Sequence, residues 1–514
     1  MDPFVARSGA RIAVTLALLG ALAAAVLAAC SSGGGGGTSI GDGGGVSSNQ
    51  SDGGTPDAGA PTGGTDAGTP ATTDGGPIGF TPGGPGPWPL DNRTYSAAEG
   101  LTEPAVAVST DETQNLWVAS RQAVYLLKPG DAKFTRFTSA DGLHLIDNPQ
   151  FYDEDSCSGE KHVPGSASPD GISTLVGGAA NEVFVGYFGY PPVNGDCTDA
   201  SVARYSGQID RLRLKPDGTL EVTRFQMVST GMGMMFWHNR TVYRLAYDHV
   251  IHPHTLYAGT EHGVDMFLPD KWRAPNPGEW TGFSIQEWMS DHLHVQVCFH
   301  DDAVCLAGGE GNARMGDWRG LAIAPDGDLW HAGRWSGGKI RWIADPTKWN
   351  MRAGSEAYPE AFGNGGGPPV FPVAQVGDLV SLSAVTVAKD GTAWLASSWF
   401  YGNQPAVSAP GMGLGIAHYL GNGKFAYYSP FQAGMSQQDV QDLVGLPDGR
   451  LVLAGAGSGL VFWEPTTGTK QTVHAGQGIP DDGVWQLELD TMVDPPALHV
   501  ATNGGVAVLR QFPK

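Results

Sequence analysis

Histidine is the residue type best able to do chemistry in this sequence. Eight of the 14 histidines fall between residues 238 and 300. His292 and His294 stand in an H-x-H spacing, which in an extended segment puts both rings on one side of the strand. A divalent metal needs several neutral imidazoles converging on one point, and the candidate ligands are His238, His262, His292 and His294. With Glu261 beside His262, the same set would serve a metal-assisted lyase or hydrolase. Met232, Met234 and Met235 beside His238 would suit a soft cuprous ion, or they form a flexible apolar loop. The spacing permits metal binding without specifying it. No nucleophile elbow, P-loop, HExxH or paired-carboxylate motif accompanies it. The favoured expectation is a non-enzymatic binding or scaffold module with no cofactor, and the metal-assisted enzyme is the alternative.

Five cysteines are present, an odd number. Arg7 and Arg11 precede an uncharged apolar run that ends in Leu27-Ala28-Ala29-Cys30 and continues into Ser and Gly rather than a basic flank. This ending resembles the bacterial lipobox, in which the cysteine after the cleavage site carries fatty acyl chains. The resemblance implies a signal peptide over residues 1–29, lipidation of Cys30 and export. Two or more acyl chains, each contributing about 0.8 kcal/mol per buried CH₂, anchor a protein stably. Ser31 and Ser32, in place of an Asp, point to the outer membrane or periplasm. Assigning Cys30 to lipid leaves Cys157, Cys197, Cys298 and Cys305, an even set, for which an oxidising compartment predicts two disulfides among three possible connectivities.

Residues 30–89 are Gly, Ser, Thr, Asp and Pro with few large apolar side chains, too few to offset the entropy of ordering. They are expected to form a tether which, as a flexible coil, spans roughly 40–45 Å. The remainder, residues 90–514, is rich in turns. The whole chain has 76 Gly and 15 Trp, and its formal net charge of −22 makes nucleic acid and anionic lipid poor partners.

One phrase recurs through this body: an apolar strand, a turn, a second apolar strand ending in a small residue, then a third strand. Gly320-Leu-Ala-Ile-Ala-Pro-Asp-Gly-Asp-Leu-Trp-His-Ala-Gly is the clearest copy. The Asp-Gly pairs beginning at Asp326, Asp390 and Asp448 sit between alternating apolar runs, a hairpin signal rather than a calcium site. The closing small residues fall at Ala119, Gly186, Ala258, Ala332, Ala396, Ala454 and Ala501, 47 to 74 residues apart. A four-stranded blade needs about 40–45 residues, and the longer repeats carry insertions. Thr135-Arg-Phe-Thr-Ser-Ala-Asp-Gly-Leu ends the first copy, and its counterpart Arg93-Thr-Tyr-Ser-Ala-Ala-Glu-Gly-Leu precedes that copy. The reading is an all-β, seven-bladed β-propeller closed by an N-terminal strand. The phrase resembles the two-component regulator propeller repeat (WD40/YVTN-like superfamily), best over Gln477-Gly-Ile-Pro-Asp-Asp-Gly-Val-Trp, and more faintly the streptogramin-lyase propellers. Both resemblances imply fold only.

In such a ring, the loops leading into first strands share one face with those joining second to third strands. That face would carry Trp237, His238, Arg314, Trp318 and Arg319 from entry loops, and Tyr187, Tyr190, Glu261, His262, Arg334, Trp335, Trp399 and Tyr401 from loops after second strands. Aromatics with a few charges at a channel mouth suit a protein, peptide or glycan ligand. The competing expectation is that the tryptophans pack between blades. The anchored propeller is expected to be monomeric, with the membrane reached through the lipid.

Overall fold

The computed structural model describes residues 83–145, 171–189, 207–225, 241–260, 264–271, 318–333, 337–340, 355–357, 382–397, 415–421, 424–437 and 439–513. Strand β1 (Arg93–Tyr95) comes first. Blade I follows as β2 (Ala107–Thr110), β3 (Leu116–Ala119), β4 (Val124–Leu127) and β5 (Thr135–Phe137). Blade II is β6 (Ile172–Gly177), β7 (Glu182–Tyr187), β8 (Ile209–Leu214) and β9 (Leu220–Phe225). Blade III is β10 (Val242–Asp248), β11 (Thr255–Thr260) and β12 (Val264–Phe267). Blade IV is β13 (Trp318–Ile323), β14 (Leu329–Gly333), β15 (Gly337–Ile340) and β16 (Ser355–Ala357). Blade V is β17 (Leu382–Val387), β18 (Ala393–Ser397), β19 (Ile416–Gly421) and β20 (Lys424–Tyr428). Blade VI is β21 (Asp442–Gly445), β22 (Leu451–Gly455), β23 (Gly459–Trp463) and β24 (Lys470–Val473). Blade VII is β25 (Val484–Asp490), β26 (Ala497–Thr502), β27 (Gly505–Leu509) and, outermost, β1.

Each sheet is an antiparallel meander. Six have four strands, and blade III shows three among the described residues. The innermost strands β2, β6, β10, β13, β17, β21 and β25 pack in chain order, and β25 returns to β2. The molecule is therefore a β-propeller. Its closure is the one expected: Arg93, Thr94 and Tyr95 pair with Val508, Ala507 and Val506.

The core follows from strand alternation. A blade with neighbours on both faces must be apolar on both faces, and each apolar cluster bridges one junction. Trp117 and Leu126 of blade I meet Leu175 and Val185 of blade II. Six further clusters continue around the ring, ending with Val108 and Tyr125 of blade I against Ala501 and Val506 of blade VII. Seven junctions thus enclose seven sheets.

The repeated motifs act as local structure codes. In Ser96-Ala-Ala-Glu99-Gly100 and Thr138-Ser-Ala-Asp141-Gly142, hydroxyl and carboxylate cap one helical turn reciprocally. Each turn ends on a left-handed glycine, with φ of 99° and 101°. The Asp-Gly turns are equally regular: the carboxylates of Asp326, Asp390 and Asp448 accept the backbone N–H two residues on.

Polar side chains of the innermost strands sew one blade to the next. Ser109 Oγ accepts from Gly177 N–H at 2.7 Å, and the Ser173 hydroxyl donates to Val242 O. Thr386 Oγ1 accepts from Gly445 N–H at 3.0 Å. Gln486 Oε1 closes the circle on Val108 N–H at 3.0 Å. These bonds satisfy inner-edge backbone groups that no sheet partner reaches.

Residues before the expected boundary at residue 90 bond to the propeller. Gly83 N–H donates to Met492 O, Asp494 N–H to Gly84 O, and the Trp88 indole to Gln114 O at 2.7 Å. The end of the expected tether is therefore part of the body, laced to blades I and VII. The expected signal segment, Cys30 and the rest of the expected tether lie outside the described residues. Among the described residues no helix is long and apolar enough to cross a membrane.

Candidate functional site

Antiparallel strands place the first-to-second turns of all blades at one end of the ring, here the turn face, and the second-to-third loops at the other, the loop face. The sequence pointed to the loop face. Of the residues expected there, Trp237, His238, Glu261, His262, Arg334, Trp335, Trp399 and Tyr401 lie outside the described residues, as do Tyr190, His292, His294 and Arg314. So do Cys157, Cys197, Cys298 and Cys305. Among the described residues no group of three or more His, Cys, Asp or Glu is placed to hold a metal.

Two expectations need correction. Trp318 and Arg319 are not in a loop: they open strand β13 and are buried. The Trp318 indole is fully enclosed in the blade III–IV core, edge-on to His331 at 5.0 Å. The Arg319 guanidinium lies over the Tyr243 ring at 4.8 Å. Tyr187 likewise closes β7 inside the core and donates to Asp210 at 2.9 Å. The indole's apolar area wins over loop exposure here, because the junction offers it a fully enclosed slot. His331 is buried between the same blades, and burial pushes its imidazole down to about 3, so it stays neutral.

A cavity of about 630 Å³ opens on the turn face, lined by the inner strands and turns of blades III to VII with Val176 of blade II. Its chemistry comes from polar positions on otherwise apolar strands. Arg244 of β10 reaches across to Asp442 of β21, Nη1 to Oδ2 at 3.0 Å. The same carboxylate accepts Leu487 N–H at 2.9 Å and Leu443 N–H at 3.0 Å. On β25, Gln486, Glu488 and Asp490 alternate, and they grip β2 in register. Gln486 takes Val108 N–H, Glu488 accepts the Ser109 hydroxyl at 2.7 Å, and Asp490 accepts the Thr110 hydroxyl at 2.9 Å. Gln114 adds a bond to Asp490 at 2.8 Å.

One turn of the rim, that of blade III, carries exposed apolar side chains and is held in place. Asp248, buried at the end of β10, accepts the backbone N–H groups of Val250, Ile251 and His252 at 2.8–2.9 Å. This fixes a turn that exposes Val250 by 74 % and Ile251 by 39 %. A second hollow of about 560 Å³ between blades V and VI is lined by His418, stacked on Trp394 at 3.8 Å, and by Asp390, Asp448 and Glu464. Its three carboxylates are committed to their own turns, which makes it a by-product of turn geometry.

Glu488 is the group whose titration the channel alters most usefully. Burial raises it from 4.5 to about 8; Asp490 adds to the rise, while the Ser109 hydroxyl, Arg244 and the Thr110 N–H oppose it. The folded protein therefore keeps this proton where the unfolded chain has released it. Stability should fall as pH rises from 4.5 to about 8. A single proton is involved, so the slope should stay below about 1.4 kcal/mol per pH unit. Glu488→Gln should remove the slope. Urea unfolding of both proteins in mildly acidic and mildly basic buffer checks this, and a wild-type-to-variant difference independent of pH would refute it.

No protein-family model matches the chain, and no curated protein matches it. Among solved structures it is similar to the extracellular domain of a hybrid two component system from B. thetaiotaomicron, with TM-score 0.44 and 10 % identity over 83 % of this chain. The match spans 42 % of that protein's length, less than half. It is also similar to virginiamycin B lyase from Staphylococcus aureus (TM-score 0.43, 8 % identity, 81 % of this chain and 98 % of that one). A third similarity is to YCF48 bound to D1 peptide (TM-score 0.43, 11 % identity, 81 % and 95 %). The propeller assignment itself rests on strand order and on the seven core junctions.

Proposed function

We propose that this chain is a lipid-anchored binding propeller of the bacterial cell envelope, non-enzymatic, which seats a protein or peptide segment at the turn-face mouth. The observation that carries the reading is the rim. Val250 and Ile251 are exposed apolar side chains at the edge of a polar-floored cavity, on a turn already fixed by Asp248. A pre-fixed turn loses little entropy on association, and an apolar rim around a few placed polar groups is the composition of a binding mouth. Val250 and Ile251 are aliphatic, which suits an apolar peptide side chain better than a sugar ring. Cys30 and the polar segment behind it support a tethered presentation outside the cytoplasm, at the outer membrane or in the periplasm.

The test is a random peptide library displayed on phage and selected on the full chain. Selected peptides should bind the Val250→Ser/Ile251→Ser double variant at least about tenfold more weakly, the factor for about 1.4 kcal/mol. Peptides that bind both proteins equally would remove the turn-face mouth from the reading.

A further inference from the structure

Three acids line the turn-face cavity: Asp248, Glu488 and Asp490. Two are committed. Asp248 takes three backbone N–H groups of its own turn. Asp490 takes the Thr110 hydroxyl, the Gln114 amide and the Met492 N–H, and it lies in the field of Arg510. Glu488 differs. It is part-buried on the cavity wall, and the groups that donate to it, the Ser109 hydroxyl and the Thr110 N–H, are neutral. Among the described residues no cation forms an ion pair with it. The cations sharing the lining are Arg244, His249 and Lys389. Arg244 is 3.0 Å from Asp442, His249 is 3.3 Å from Glu112, and Lys389 stands on the blade V turn. Between these groups the wall is aliphatic, with Leu321, Val385 and Leu443 from three different blades.

We infer that the mouth selects a basic side chain: a lysine or arginine of the bound segment enters the cavity of about 630 Å³ and ends on the Glu488 carboxylate. The inference rests on reading the mouth as a peptide site, and it names the side chain that fills it. Lysine and arginine carry an apolar stem beneath a charged head. Leu321, Val385 and Leu443 can receive the stem while Glu488 receives the head, and an apolar neighbour in the segment meets Val250 and Ile251. A buried carboxylate is stable only with a counter-charge. With none beside it, Glu488 holds its proton up to about pH 8. As the cation docks, that proton leaves to solvent and an ion pair takes its place. The field of the whole chain acts in the same direction, since a net charge of −22 draws basic segments toward the protein.

The probe is the set of peptides selected on the full chain from the random library, synthesised and titrated against wild type and Glu488→Gln. The selected peptides should share a lysine or arginine. Replacing that residue by norleucine, which keeps the stem and removes the charge, should weaken binding to wild type at least about tenfold and change binding to Glu488→Gln little. Wild-type affinity should rise with pH by up to about tenfold per unit on the acid side of about 8, while that of Glu488→Gln stays level. The norleucine peptides test the idea on the wild-type protein even where the glutamine variant folds poorly. Peptides that need Val250 and Ile251 but bind as tightly with norleucine refute the basic side chain and leave the mouth standing. Wild-type affinity that falls as pH rises also refutes it, because Glu488 would then be donating its proton to an acceptor. Peptides indifferent to Val250 and Ile251 as well remove the mouth itself.

Discussion

Replacing Tyr95 by proline should destabilise the full chain by about 4 kcal/mol and make it self-associate. β1 is only three residues long, yet it covers the outer edge of β27 and joins the two ends of the chain. Proline at position 95 removes the N–H that faces Val506 across the ladder, and each lost or orphaned bond costs about 1–3 kcal/mol. Tyr95 stands edge-on to Phe134 at 5.8 Å, and Phe134 stands edge-on to Tyr125 at 6.4 Å, so the strand also ties blade VII to blade I. Truncating that ring forfeits a further 2 kcal/mol or so of apolar burial. The uncovered edge of β27 is a template for pairing with another copy. Urea unfolding and sedimentation check both parts. A loss below about 1 kcal/mol would show that the ring closes by its junction cores alone.

This closure was legible because it is written twice. The segments at Arg93 and Thr135 share spacing down to the capping hydroxyl, the acid three residues on and the glycine, and the structure folds both into the same capped turn. The Asp-Gly turns were legible for the same reason: the residue types demanded by left-handed backbone are few. The channel was not. In Trp485-Gln-Leu-Glu-Leu-Asp the apolar alternation stands out, and it locates the core face of β25 correctly through Leu487. The interleaved Gln486, Glu488 and Asp490 look like a solvated face. Only closure shows that this second face meets blade I, because their partners Val108, Ser109 and Thr110 lie nearly 380 residues away. Their spacing on an inner strand was the available signal. Trp318 and Arg319 misled for the converse reason. They follow a long stretch with no clear pattern and so read as loop, but the junction between blades III and IV has an enclosed place for the indole. The insertions that break the repeat carry most of the expected loop-face residues, and periodicity has no purchase on them.

Asp442→Ala should cost about 3–5 kcal/mol, more than Asp442→Asn and more than its share of apolar contact would suggest. Asp442 is buried, and its carboxylate serves three donors from three places: Arg244 of blade III, Leu487 N–H of blade VII and Leu443 N–H of its own strand. Alanine removes the carboxylate that faces a mostly buried guanidinium, the costly way to break such a pair, and it orphans two inner-edge N–H groups. Asparagine keeps a carbonyl oxygen for one backbone donor and loses the charge, so its cost should be about half. Arg244→Met leaves the carboxylate buried and unpaired, but with both backbone donors still in place. The double variant Arg244→Met/Asp442→Asn removes both charges while retaining an acceptor. It should therefore be more stable than the sum of the two single losses by about 1–3 kcal/mol. Urea unfolding of the four proteins gives that coupling directly. Additive losses would mean that Arg244 and Asp442 act separately, Asp442 as a junction staple and Arg244 as a channel-lining cation. A favourable coupling identifies the pair as a strut between blades III and VI, spanning the cavity beneath the rim. In that geometry the strut holds Val250 and Ile251 at a fixed distance from Met492, so the fold's buried polar chemistry sets the width of the mouth.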